Sequence, residues 1–247
     1  MAPLDDKVDQ GAWQRLLARW GLLTAITVAG LVVTFFTAFG LAFSEPGIGS
    51  DHDELLMAAS VPVLYRTAMV FDALGWLAMG GLVLIAGLAL RRDATIQGPV
   101  GAVLGVTAIA GIVGAFLRLT VVGYLGRQLA AGVTDEAGLI SLYRTVDLII
   151  GAHFGAGQLT VGLGFLVVGS AALAAAWVPR SIAWLLLLPG ITSLVLLAAE
   201  VAFDVFLFPV LLLHVLLLAI VGLAMAGAWW RAPLARPGAA EIQTAGA

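Results

Sequence analysis

Ala199-Glu-Val-Ala-Phe-Asp-Val-Phe-Leu-Phe-Pro-Val-Leu-Leu-Leu-His214 joins two long apolar runs. Ser181 to Phe206 reads as one helix and Pro209, whose ring suits a first helical turn, opens the next. Two carboxylates four residues apart, Glu200 and Asp204, close the first helix, and His214 lies five residues into the second. An ionisable group beside hydrocarbon costs a few kcal/mol unless it faces a protein interior or a wet cavity, so each of the three is a functional candidate.

The rest of the chain repeats this pattern. Of its 247 residues 62% are hydrophobic and 11% charged, with a mean hydropathy of +1.07, where a soluble domain carries roughly 25% charged residues. The expected class is all-α: a polytopic membrane protein built as a six-helix transmembrane bundle. A net charge of -3 with no basic run argues against a nucleic-acid partner. The absence of cysteine removes disulfides, thiolate nucleophiles and cysteine metal sites. No sequon exists, because the chain has no asparagine.

Residues 1–20 read as a polar cytoplasmic leader, and Gly21 to Phe43 as a retained first helix, being longer than the ~7–15 apolar residues of a secretory signal. The segment Asp51-His52-Asp53-Glu54 invites a metal reading, but neighbouring side chains on a helix diverge; Ser50 as a cap with acids in the first turn explains the cluster better. Val61 to Leu90 and Val100 to Val122 follow as helices two and three, with Gly101-x-x-x-Gly105 suited to close helix contact. After a loop over residues 126–137, Leu139 to Val178 is nearly twice the length a bilayer needs. It is expected to divide into an outer amphipathic part and a membrane part, with a bend near Gly151, Gly155 and Gly157. Helix five is expected to kink at Pro189. Helix six ends at Arg231, and residues 232–247 read as a disordered cytoplasmic tail.

Eight basic residues (Lys7, Arg15, Arg19, Arg91, Arg92, Arg180, Arg231 and Arg236) fall on one side, against Arg66, Arg118, Arg127 and Arg144 on the other; this asymmetry expects both termini in the cytoplasm of a cell-membrane protein. Leu64-Tyr65-Arg66-Thr67 recurs as Leu142-Tyr143-Arg144-Thr145, which makes helices two–three and four–five a candidate parallel repeat of hairpins.

Counting from the inner boundary sets depth. Asp72 lies 19 residues from Arg91, Arg118 19 from Pro99, Glu200 19 from Ser181 and His214 17 from Arg231. At ~1.5 Å per residue all four lie about 25–29 Å out, near the outer edge of the hydrocarbon. They are expected to converge on one outward-opening cavity, with Arg118 paired to Asp72 or Glu200. Carboxylates in excess of one arginine leave a proton to hold or give, and Glu200, a turn deeper than Asp204, is the expected donor. Tyr143, Asp147 and Gln158 share a face of helix four and, with Tyr65 and Trp76, are the candidate substrate-lining residues.

No cofactor is expected. The only lysine is Lys7, outside any span, which excludes a retinal Schiff base, and His153 lies about 15 Å further out than His214 by helical rise, which argues against a haem held between them. Nucleotide loops, nucleophile motifs and metal motifs are absent.

Tyr65-Arg66 opening a helix, the glycine-rich stretch Gly151 to Gly169, and Val178-Pro179-Arg180 leading to Trp184-Leu-Leu-Leu-Leu-Pro189-Gly190 together resemble the small bacterial six-helix membrane proteins of domain of unknown function four-three-eight-six. The resemblance spans roughly residues 21–230. It implies a six-helix bundle and no catalytic residue, and Glu200 with Asp204 has no counterpart in it. Three functions are therefore weighed. An acid–base enzyme or binder of a lipophilic molecule fits a pocket at the outer boundary. A structural or accessory subunit explains the small-residue helix faces. A transporter fits less well, since the middle of every helix is free of charge. Expected partners are membrane lipids and a lipophilic small molecule.

Overall fold

Six of the apolar runs form helices long enough to cross a bilayer, over Gln10–Ala42, Pro62–Leu90, Gln97–Ala130, Glu136–Ala174, Arg180–Phe203 and Pro209–Trp229. The computed structural model describes residues 6–42, 53–132, 135–203 and 207–230. Among these residues there is no strand. The elements are α1 (Asp6–Ala42), α2 (Asp53–Ser60), α3 (Pro62–Leu90), α4 (Gln97–Ile109), α5 (Ile112–Leu117), a π-helical turn (Arg118–Val122), α6 (Gly123–Ala130), α7 (Glu136–Ala174), α8 (Arg180–Phe203) and α9 (Phe208–Trp229).

Each spanning helix packs on its sequence neighbours, and α9 returns to α1, so the six form a closed ring in chain order. Short connections make consecutive neighbours antiparallel. The second span is the most buried, because α3 also packs across to α7. Glycine faces make the contacts close. A Cβ on Gly80 would come within 2.7 Å of Ile109 and 2.8 Å of the Gly105 carbonyl, and Gly21 and Gly222 bring the α1 and α9 backbones together where the ring closes. Lipid tails solvate leucine as well as protein does, so backbone approach of this kind supplies the packing energy. The Gly101-x-x-x-Gly105 stretch serves two partners rather than one, Gly105 meeting α3 and Gly101 meeting Val168 of α7.

Three expectations about helix boundaries give way. α1 begins at Asp6, so the polar leader is the first turns of the first helix; Leu17 and Ala18 are buried there and Trp13 packs on the core. α7 is one helix of 39 residues without the expected division. At ~1.5 Å rise it is about 58 Å long, nearly twice the hydrocarbon thickness. Of the three glycines Gly157 makes room for a ring from another helix: it lies against Trp76, where a Cβ would come within 2.7 Å of the indole. α6 extends to Ala130 inside the expected loop, and α7 is capped by Asp135, whose carboxylate accepts from Gly138 N–H at 2.9 Å. α8 runs through Pro189 as one helix. The tail from 231 onward, with the expected cap at Ser50, lies outside the described residues.

The buried apolar residues form two clusters. The larger runs through the body of the bundle around Trp76, Leu82, Phe165 and Val221. The smaller gathers Leu55, Met57 and Ala58 of α2, Tyr65 and Met69 of α3, Leu125 of α6 and Tyr143 of α7 at one end. There α2 packs against α6, with Gly126 directly under Ala58 and Ala59.

Candidate functional site: a charged cluster under helix α2

The third span changes its winding just where it reaches the smaller cluster. Around Ala110 and Gly111 its backbone bonds shorten to i→i−3, with Gly111 N–H to Ala108 at 3.0 Å and Gly114 N–H to Gly111 at 3.1 Å. From Arg118 to Val122 it widens into the π turn, in which Gly123 N–H donates to the Arg118 carbonyl five residues back. Such single π turns are rare and concentrate at functional sites.

Arg118 stands at the first position of this turn and faces two carboxylates. Its Nε lies 3.4 Å from Glu54 Oε1 of α2, and its side chain reaches Asp72 Oδ2 of α3 at 3.8 Å. The guanidinium also sits over the Phe154 ring of α7, 5.8 Å from the centroid. Tyr65, one helical face below α2, donates its hydroxyl to Glu54 Oε1 at 2.8 Å, with the Arg118 carbonyl 3.3 Å away. A phenol has one proton to give, so the shorter bond to the carboxylate is the one it makes. Asp147 of α7 is near enough to act on the charge of Arg118, and Tyr143 near enough to interact with Tyr65.

The charges in this cluster do not balance. Glu54 and Asp72 share one guanidinium, which leaves one negative charge over unless a proton is taken up. Hydrogen bonding is also incomplete: Arg118 Nε and Asp72 Oδ2 are both buried, and neither has a hydrogen-bond partner. Each is held by an ion pair alone.

A second polar cluster lies between α7, α8 and α9. The Thr192 hydroxyl meets His214 Nδ1 at 2.9 Å and also approaches the carbonyls of Leu188 and Pro189. The Ser193 hydroxyl bonds the Gln158 carbonyl at 2.9 Å and its amide oxygen. All four side chains are buried, and none of their polar atoms is left both buried and unpaired.

The structure thus separates residues that equal depth had grouped. Asp72 and Arg118 meet, with Tyr65 beside them. His214 does not join them: α9 packs on α1 and α8, whereas the charged cluster is built by α2, α3 and the π turn. Glu200 lies on the outer surface of the bundle and has no ion pair among the described residues, so it does not join Arg118 as expected. Asp204 lies outside the described residues. Gln158 belongs to the second cluster. Trp76 is core, held between Gly111 and Gly157 and edge-on to Phe154 at 5.7 Å, and its side chain hydrogen-bonds Asp72, so it does stand beside the charged cluster. Asp147 is exposed and Tyr143 buried.

Glu54 is the residue that sequence reasoning missed, having been assigned to the helix dipole. A signal was present: Glu54 shares the α2 face of Met57 and Ala58, both buried, so helical periodicity points it inward. Asp51 and His52 of the same acidic run lie outside the described residues.

These features define a six-helix, multi-pass membrane protein with a charged cluster at one end of the bundle. Compared with family models, curated proteins and solved structures, the chain matches none.

Proposed function

We propose that the protein binds a lipophilic molecule bearing a hydroxyl or carbonyl group at the Glu54–Tyr65–Asp72–Arg118 cluster, and that Asp72 exchanges a proton with it. One observation carries this reading: a buried donor, Arg118 Nε, and a buried acceptor, Asp72 Oδ2, occur in the same cluster and neither makes a hydrogen bond. A hydroxyl group can satisfy both at once, since it donates and accepts. The uncompensated negative charge makes a carboxyl the natural proton carrier, and Asp72, the more enclosed of the two acids, is better shielded than Glu54.

Purified protein, extracted and analysed by mass spectrometry beside Asp72→Asn and Arg118→Gln, tests the proposal. A small molecule or lipid enriched in the wild-type extract and reduced at least about tenfold in both variants is the expected result, the loss of ~1.4 kcal/mol or more of binding. Identical extracts from folded wild type and variants would sink it and favour the accessory-subunit reading.

We further infer that the protein lies in the cell membrane with both termini cytoplasmic, which puts the cluster on the outer side; the eight-to-four distribution of basic residues supports this orientation. Reporter fusions at residues 94 and 130 should read inside and outside respectively, and the opposite pattern would reverse the assignment.

A further inference from the structure

Arg118 Nε and Asp72 Oδ2, the two atoms of the charged cluster that make no hydrogen bond, are enclosed by protein. A ligand meets them only after a covering element moves. Three features of α2 suit it to that motion.

The first is a joint. α2 passes into α3 through Val61 and Pro62, where the proline has no N–H to continue the helical ladder and Val61 leaves the helical region at φ -129° and ψ 58°. The second is a seat. Gly126 of α6 lies directly under α2, and a Cβ there would come within 2.8 Å of Ala58 Cβ and 3.0 Å of the Ala59 nitrogen. α2 thus rests on bare backbone, with Leu55, Met57 and Ala58 buried. The third is a latch. Glu54 ties α2 to two other elements, accepting from the Tyr65 hydroxyl of α3 at 2.8 Å and pairing with Arg118 Nε of the π turn at 3.4 Å. That Nε is the donor a ligand would use, so α2 in place and a bound ligand compete for it.

The geometry points to α2 as a lid, hinged at Val61 and Pro62, seated on Gly126 and latched through Glu54, which closes the charged cluster and lifts to admit a ligand. Hinges of this kind sit at element ends and absorb the backbone change locally. α3 does not follow, because it is held by α1, α4 and α7. The purpose of the lid rests on the ligand binding proposed above; the motion does not, and it can be read with no ligand present.

The chain has no cysteine, so single cysteines report the motion directly. Ala68→Cys places a thiol on the α3 face between Tyr65 and Asp72, and Ala108→Cys places one in the larger apolar cluster; both alanines are fully enclosed. The full chain in detergent is treated with a water-soluble maleimide. Ala68→Cys should react slowly but measurably, and Glu54→Ala in the same chain should raise its rate at least about tenfold, the factor expected for one hydrogen bond to a charged group. Gly126→Ala props α2 off its seat without touching a charge and should raise the rate as well, which covers the case of a Glu54 variant that does not fold. Ala108→Cys should stay unreactive in all three backgrounds. No reaction of Ala68→Cys in any background, a rate unchanged by both substitutions, or equal labelling of Ala108→Cys, the mark of global unfolding, would overturn the lid. The extraction experiment can fail while this labelling pattern holds, and that result would remove the ligand and leave the lid.

Discussion

The two polar clusters stand in the same apolar bundle and are built on opposite terms. Between α7, α8 and α9 the groups are neutral, fully buried and paired: Thr192 with His214, Ser193 with Gln158. Under α2 they are charged, partly accessible and incompletely paired, with side-chain exposures of 24% for Arg118, 18% for Glu54 and 11% for Asp72. Neutral hydroxyl and amide groups can satisfy one another inside a bundle and act as glue between helices. Charges in the wrong ratio cannot, so their retention in an apolar environment needs a use other than stability. The difference sets a structural cluster apart from the one proposed to bind a ligand.

That contrast can be broken by mutation. Arg118→Met leaves Glu54 and Asp72 facing each other with no cation between them and should cost about 3 kcal/mol, measured by thermal or denaturant unfolding in detergent. Adding Glu54→Gln and Asp72→Asn to the same chain should recover most of that loss, because the penalty comes from uncompensated charge; failure to recover would mean that Arg118 acts through packing alone. Tyr65→Phe removes a hydrogen bond to a charged acceptor and should cost about 1.5 kcal/mol in the same assay. It leaves the ion pairs in place, so an effect as large as that of Arg118→Met would move the centre of the cluster to the phenol. The smallest change is expected from Thr192→Val, about 0.6 kcal/mol, the usual worth of a hydrogen bond between membrane helices. Should Thr192→Val cost as much as Arg118→Met, the distinction between glue and site would collapse.

Much of the charged cluster was legible before the fold was known, and its gaps have physical reasons. Asp72 and Arg118 stood out because charge interrupts hydrocarbon. Glu54 did not, because it lies on the eight-residue α2, where acidic residues are ordinary and no depth can be counted. His214 was grouped wrongly because a count from the helix end fixes neither its neighbours nor its level: it lies in a different helix interface and meets Thr192, eight residues from Glu200 on α8. The π turn at Arg118 has no sequence mark at all; Leu117 to Val122 reads as ordinary helix, and the widening shows only in the backbone bonds.

By itself the sequence determined the class and the six spans, since hydropathy and a fixed rise of ~1.5 Å per residue measure the length of each apolar run. Only the tertiary structure decided which polar groups meet. That depends on the angle each helix presents to its neighbours, which is set jointly by contacts such as Gly21 on Gly222, Gly80 on Gly105 and Gly157 on Trp76, each between residues far apart in the chain. Hydropathy is blind to that angle, because lipid and protein interior are equally apolar.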